Sequence, residues 1–130
     1  MNRKAKGTNA ERDLIHAFHK HQWSAIRVAG SGSSRYPSPD ILAGNALRKL
    51  AIECKTVNNN AVYIPKSEVE QLRIFAQNFG AEPWIAVKLE KEEWVFLTLE
   101  DLKETEASFS VSVGLGKMKG LLFEEVIGIN

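Results

Sequence analysis

Ser38-Pro39-Asp40-Ile41-Leu42-Ala43 and, after a short gap, Leu50-Ala51-Ile52-Glu53-Cys54-Lys55 decide how this chain is read. Both are short apolar runs of strand length, and Gly44-Asn45 between them is a turn signal. Side chains alternate faces along a strand, so Glu53 and Lys55 share one face. A hairpin of the two strands brings Asp40 near that face. Charged side chains are rarely buried unless paired or bound to a metal. Two carboxylates suit a hard divalent cation such as magnesium, and a neighbouring lysine can hold an attacking water. The set is equipment for metal-assisted hydrolysis of a phosphodiester.

The flanks extend this reading. Thr8 opens an amphipathic helix running to about His21, with Ala10, Leu14, Ile15, Ala17 and Phe18 on one stripe. Thr8-Asn9-Ala10-Glu11 fits a capping box, in which the glutamate bonds back to the cap. Ahead of it, Met1–Gly7 carries Arg3, Lys4 and Lys6 and no acid, and reads as a flexible basic arm. Ser24–Gly30 reads as a strand that Arg27 interrupts, either snorkelling to the edge or facing the site. The loop Gly30–Pro39 is rich in glycine and serine, which let a backbone approach phosphate closely. Within it, Tyr36 has two open readings, stacking on an unpaired base or packing over the loop.

Pro-Asp, twelve residues, then Glu-x-Lys resembles the PD-(D/E)xK nuclease superfamily. With Gly7–Leu14, Arg27–Ser31 and the ending Glu124–Asn130, the chain is similar to archaeal-type Holliday junction resolvases over nearly its whole length. That resemblance implies a restriction-endonuclease-like α/β core, a central mixed sheet flanked by helices. It implies a crossover junction endodeoxyribonuclease that leaves a 5′-phosphate and acts as a homodimer on four-way junction DNA. It implies magnesium, with manganese substituting, held by Asp40, Glu53, the backbone carbonyl of Cys54 and Glu11. Lys55 then orients water, Ser31 is the functional serine of the loop, and Arg3, Lys4, Lys6, Arg12, Arg27, Arg35 and Tyr36 contact DNA. Two rival readings are a restriction-type or repair endonuclease acting on duplex DNA and a non-catalytic DNA-binding module.

Composition agrees with a soluble single domain spanning residues 1–130: 44% of the chain is hydrophobic and 25% charged. No apolar run reaches membrane-spanning length, and the basic, polar start is unlike a secretory signal, so a DNA-associated, cytoplasmic protein is expected. A net charge of +1 hides a strong asymmetry. Residues 1–66 hold 11 Lys/Arg against 4 Asp/Glu, and residues 67–130 hold 6 against 12. The basic half contains the acidic motif, as a polyanion-binding face requires.

Other signals are structural. His16, His19 and His21 lack a Cys or acid at zinc-type spacing and read as histidines of a wet helix end. Cys54 reads as a small buried hydrophobe. Val57–Ile64 is expected to extend or flank the sheet, with its turn at Asn58–Asn60. Ser67-Glu68-Val69-Glu70 is a second capping box, heading a helix with Val69, Leu72, Phe75, Ala76 and Phe79 on one stripe and Gly80 closing it. Trp84–Leu89 and Trp94–Leu99 predict a hairpin with a charged turn at Glu90–Glu93. Ser108–Val113 alternates strictly and is expected as a half-buried edge strand, followed by a basic turn at Gly114–Lys117. Leu121–Ile129 is apolar enough to bury, in its own core or against a second subunit.

Overall fold

The computed structural model describes residues 3–30, 35–57, 59–89 and 93–128. The elements run α1 (Arg3–Lys20), β1 (Ser24–Arg27), β2 (Ile41–Gly44), β3 (Lys49–Thr56), β4 (Ala61–Pro65), α2 (Lys66–Phe79), β5 (Glu82–Lys88) and β6 (Trp94–Leu97). After a 3-10 turn at Leu99–Asp101 come β7 (Lys103–Glu104), β8 (Ser108–Ser112), α3 (Val113–Lys119) and α4 (Phe123–Ile127). This is the expected mixed α/β architecture. The main sheet has strand order β1-β2-β3-β5-β6, and β4-β8-β7 form a second, three-stranded sheet. The chain divides into two compact units interleaved in sequence, Met1–Glu53 with Gln71–Pro83, and Cys54–Glu70 with Trp84–Asn130.

In the first unit, β1, β2 and β3 form an antiparallel meander. The predicted hairpin of β2 and β3 is present, in the register Ile41↔Ile52 to Gly44↔Lys49. Asn45 fixes its turn: its N–H donates to the Arg48 carbonyl at 2.9 Å, and its Oδ1 accepts from the N–H groups of Leu47 and Arg48. Arg48 then makes two 2.8 Å bonds to the carboxylate of Glu82. The helix α1 packs on β1 and β2 and buries Ala10, Leu14 and Phe18, with Phe18 tilted against Trp23 at 5.6 Å between ring centres. His19 Nε2 sits 3.0 Å from the carbonyl oxygen and 3.3 Å from the nitrogen of Ala25. That places a side chain on main-chain groups of the outermost strand, where open groups invite strand addition.

α1 starts at Arg3, not at Thr8. Thr8 and Glu11 are therefore interior helix positions, the expected capping box is absent, and the basic segment from Arg3 is helical backbone rather than a flexible arm. A single glycine at position 7 costs a helix only about 1 kcal/mol, and the Lys-Ala-Lys before it favours helix. The second box fails similarly, because α2 starts at Lys66 and contains Ser67. Its C-terminus is as expected: Gly80 has φ +81°, and the N–H groups of Gly80 and Ala81 both donate to the Ala76 carbonyl. Val69, Leu72 and Ala76 are buried as expected, whereas Phe79 is 48% exposed.

In the second unit, β5 and β6 form the expected hairpin, in the register Ile85↔Leu97 to Lys88↔Trp94; its turn residues 90–92 lie outside the described residues. β8 is not an edge strand. It lies between β4 and β7, because alternation reports which faces are covered and not how many neighbours a strand has. β4 belongs to this second sheet; Asn58 lies outside the described residues and Asn59 has φ 62°. The expected basic turn is helix α3, whose Ser112 cap accepts from Leu115 N–H. α3 packs on β6 and β8 and buries Gly116 beside Leu89, Val95 and Val111. The tail contributes Val126 to the core, and Leu121 bridges to Phe96. Among the described residues, no helix is long and apolar enough to cross a membrane.

Candidate metal and nucleic-acid site

β3 carries its chemistry at one end. Leu50, Ala51 and Ile52 are fully buried, so both strand faces are covered there; from Glu53 through Lys55 every residue is half-exposed. The change falls between Ile52 and Glu53. Cys54 is accordingly half-buried, where a buried hydrophobe was expected.

Asp40 is placed by a departure from the ladder. Its N–H donates to the carbonyl of Ile52 at 2.9 Å, and Ile52 is already the partner of Ile41. Two residues therefore stand against one, which is a β-bulge. Bulges bend a strand and re-aim the side chain at the bulge, and they recur beside active sites. The Asp40 carbonyl accepts from Val28 N–H at 2.8 Å, which ties the far end of the 30–39 loop back to its start.

The re-aimed aspartate meets α1. Glu11 and Asp40 each offer a carboxylate oxygen, and these atoms lie within 4.8 Å of one another. Arg27, the last residue of β1, reaches the same glutamate: its Nε lies 3.2 Å from Glu11 Oε1. Of the two readings for Arg27, this contact favours the one in which it turns towards Glu11. Burial raises the Glu11 pKa above its ordinary 4.5, the Asp40 charge raises it further, and the Arg27 hydrogen bond and charge partly offset both. Two half-buried carboxylates that repel each other form a donor set whose repulsion a divalent cation relieves, and oxygen donors are the type a hard cation takes. The residues fit such an ion. Glu53 lies outside the group that unites Glu11 and Asp40.

Lys55, two residues along the same strand from Glu53, is held by a residue for which sequence pattern suggests only a capping role. Its Nζ lies 2.9 Å from Glu68 Oε2, in the first turn of α2. Ser38 Oγ, two residues before Asp40, is buried with no hydrogen-bond partner among the described residues. Buried hydroxyls nearly always find a partner, so an orphan beside a site is a notable exception. Arg12 and Arg35 are exposed, and Tyr36 is 71% exposed. The Arg35 guanidinium lies 5.8 Å from the Tyr36 ring centre. Ser31 and the side chains of Arg3, Lys4 and Lys6 lie outside the described residues. By sequence, the first unit holds 10 Lys/Arg and 5 Asp/Glu, and the second holds 7 and 11. The carboxylate pair thus sits in the basic unit.

Comparison with known proteins gives the same direction. The family described as "Archaeal holliday junction resolvase (hjc)" matches residues 2–130. A crossover junction endodeoxyribonuclease Hjc of Archaeoglobus fulgidus is 45% identical over 125 residues, 96% of this chain and 91% of that protein. An Hjc of Sulfolobus acidocaldarius is 32% identical over 129 residues, 98% and 90% of the two chains. The solved structure of Archaeoglobus fulgidus Hjc, a Holliday junction resolvase, superposes with a TM-score of 0.86 at 42% identity, covering 96% of this chain and 98% of that one. With a match along essentially its full length and a shared fold, the chain belongs to the archaeal Holliday junction resolvase (Hjc) family.

Proposed function

We propose that this chain is an endonuclease that resolves four-way DNA junctions by magnesium-dependent hydrolysis of phosphodiester bonds, its two units working as one nuclease domain. The observation that carries the reading is the β-bulge that turns Asp40 to within 4.8 Å of Glu11 in a unit of net positive charge. Asp40 and Glu11 hold the cation, with Glu53 and the Cys54 carbonyl, at the half-exposed end of β3, completing the donors. Manganese substitutes for magnesium. When bound, such an ion offsets the charge that develops on the phosphorus oxygens and lowers the pKa of water.

The chain's own residues do the rest. Arg27 keeps the Glu11 carboxylate oriented through its 3.2 Å contact. Lys55 orients the attacking water, and Ser31 contacts the phosphate that the glycine-rich loop admits. Recognition is by shape, through phosphate contacts from Arg3, Lys4, Lys6, Arg12, Arg27 and Arg35, with little reading of bases. The exposed ring of Tyr36 stacks on a base at the branch point, its exposure and its neighbouring Arg35 both favouring that role.

A four-way junction presents two symmetric strands to cut, which a twofold dimer matches. Support for a dimer comes from the first unit, where Ile26 (61% exposed), Leu42 and Phe79 line an apolar hollow of about 270 Å³. A second copy seated there would remove this apolar surface from water.

The test is a cleavage assay on a four-way junction beside a linear duplex, in magnesium and in chelator. Cutting confined to the junction in magnesium is expected, and Asp40→Asn or Glu53→Gln should abolish it while leaving junction binding intact. Equal cutting of duplex would instead make the chain a restriction-type or repair nuclease. Cutting that survives Asp40→Asn would remove the metal site as assigned.

A further inference from the structure

A lysine on a four-carbon stem has wide rotamer freedom, and one used to orient water works only if that freedom is removed. Lys55 leaves β3 two residues beyond Glu53, and Glu68 leaves the first turn of α2; both lie in the second unit. Their 2.9 Å contact is a charge-assisted hydrogen bond between side chains 22% and 39% exposed, partly shielded from water. A glutamate in a helix's first turn is favourable on its own account, through the helix dipole. That role needs no partner, however. Glu68 is instead directed at the lysine.

We propose that Glu68 is a positioning residue: its carboxylate anchors the Lys55 ammonium and so fixes the direction from which the lysine meets the water and the scissile phosphate. The inference rests on the cleavage reading above. Glu68 touches neither substrate nor metal and acts only through Lys55.

The experiment compares Glu68→Ala, Glu68→Gln, Lys55→Met and the double variant Glu68→Ala/Lys55→Met, in single-turnover cutting of a four-way junction and in junction binding without metal. Displacing a catalytic group by about 1 Å costs on the order of 100-fold. Glu68→Ala should therefore lower the cleavage rate by about 10- to 100-fold. Junction affinity should hold within twofold, because no phosphate-binding group is removed. Glu68→Gln keeps an acceptor oxygen and should fall between Ala and wild type. In the Lys55→Met background, Glu68→Ala should change nothing further, whereas a merely structural glutamate would add its own decrement. Wild-type cutting by both Glu68 variants overturns the proposal, as does an additive decrement in the double variant. If Glu68→Ala does not fold by its melting curve, Glu68→Gln decides: a wild-type rate overturns it. Full cutting by Lys55→Met sinks the underlying nuclease reading instead, which keeps the two failures distinguishable.

Discussion

Neutralising Glu11 should make the protein more stable at neutral pH and inactive. Three forces act on this carboxylate. Arg27 attracts it at 3.2 Å and Asp40 repels it within 4.8 Å; Coulomb's law gives each about 1–5 kcal/mol for effective dielectrics of about 80 to 20. The two are of similar size and opposite sign, so they largely cancel. Burial of the charge is left over, and it is the largest cause of the raised pKa. An acid whose pKa is raised on folding contributes its stability below the ordinary value of 4.5 and loses it as pH rises through the folded value. At pH 7.5 the ionised Glu11 is thus a net liability. Glu11→Gln keeps an oxygen for Arg27 and removes the charge. Its melting temperature at pH 7.5, without metal, should exceed wild type, each 1 kcal/mol of relief raising it by about 3–5 °C in a chain of this size, and the gap should close towards pH 4. Magnesium should narrow the gap from the other side, stabilising wild type more than the variant. A variant less stable than wild type at pH 7.5, or a gap that does not move with pH, would refute the reasoning.

Further expectations concern other parts of the chain. Deleting residues 1–6 removes three basic residues and the first turn of α1, so junction binding should weaken and the slope of log affinity against log salt should flatten by about 0.9 for each phosphate no longer neutralised; an unchanged slope rules the segment out. Gly120→Ala should destabilise by about 1–3 kcal/mol in urea titrations, since its Cβ would strike the Gly116 carbonyl and stand 2.7 Å from Val95 Cβ. Gly116→Ala meets only 3.4 Å approaches to Leu89 and Val95, and the helix preference of alanine, about 1 kcal/mol, should leave it neutral or stabilising. Ile26→Glu should shift sedimentation towards monomer, and an unchanged species would exclude the β1 hollow as the dimer contact.

Much of this was legible in the residues, because alternation, helical stripes and turn chemistry are local. The β2–β3 hairpin, the α2 stripe ending at Gly80, the β5–β6 hairpin and the acidic motif at the hairpin's open end all follow from short-range pattern. What local pattern could not carry was pairing at a distance. Nothing near Asp40 announces that its N–H will return to Ile52 rather than continue the ladder, although Pro39, which has no N–H to give, fits a break there. Nor does Ser67-Glu68 reveal that the glutamate belongs to a lysine on another element. Both capping boxes failed for one reason: a box marks a place where a helix can start, and residues upstream were helical already. In α3, glycines suggested a turn because their helix propensity is poor; the tertiary packing of Gly116 outweighs it.

The hairpin has an arithmetic of its own. Gly44 faces Lys49 and Ile41 faces Ile52, so the two arms can lengthen only by whole rungs, one residue on each side. The count separating the aspartate from the glutamate is therefore quantised in steps of two, unless the turn locked by Asn45 is rebuilt. The stretch before Asp40 obeys no such parity.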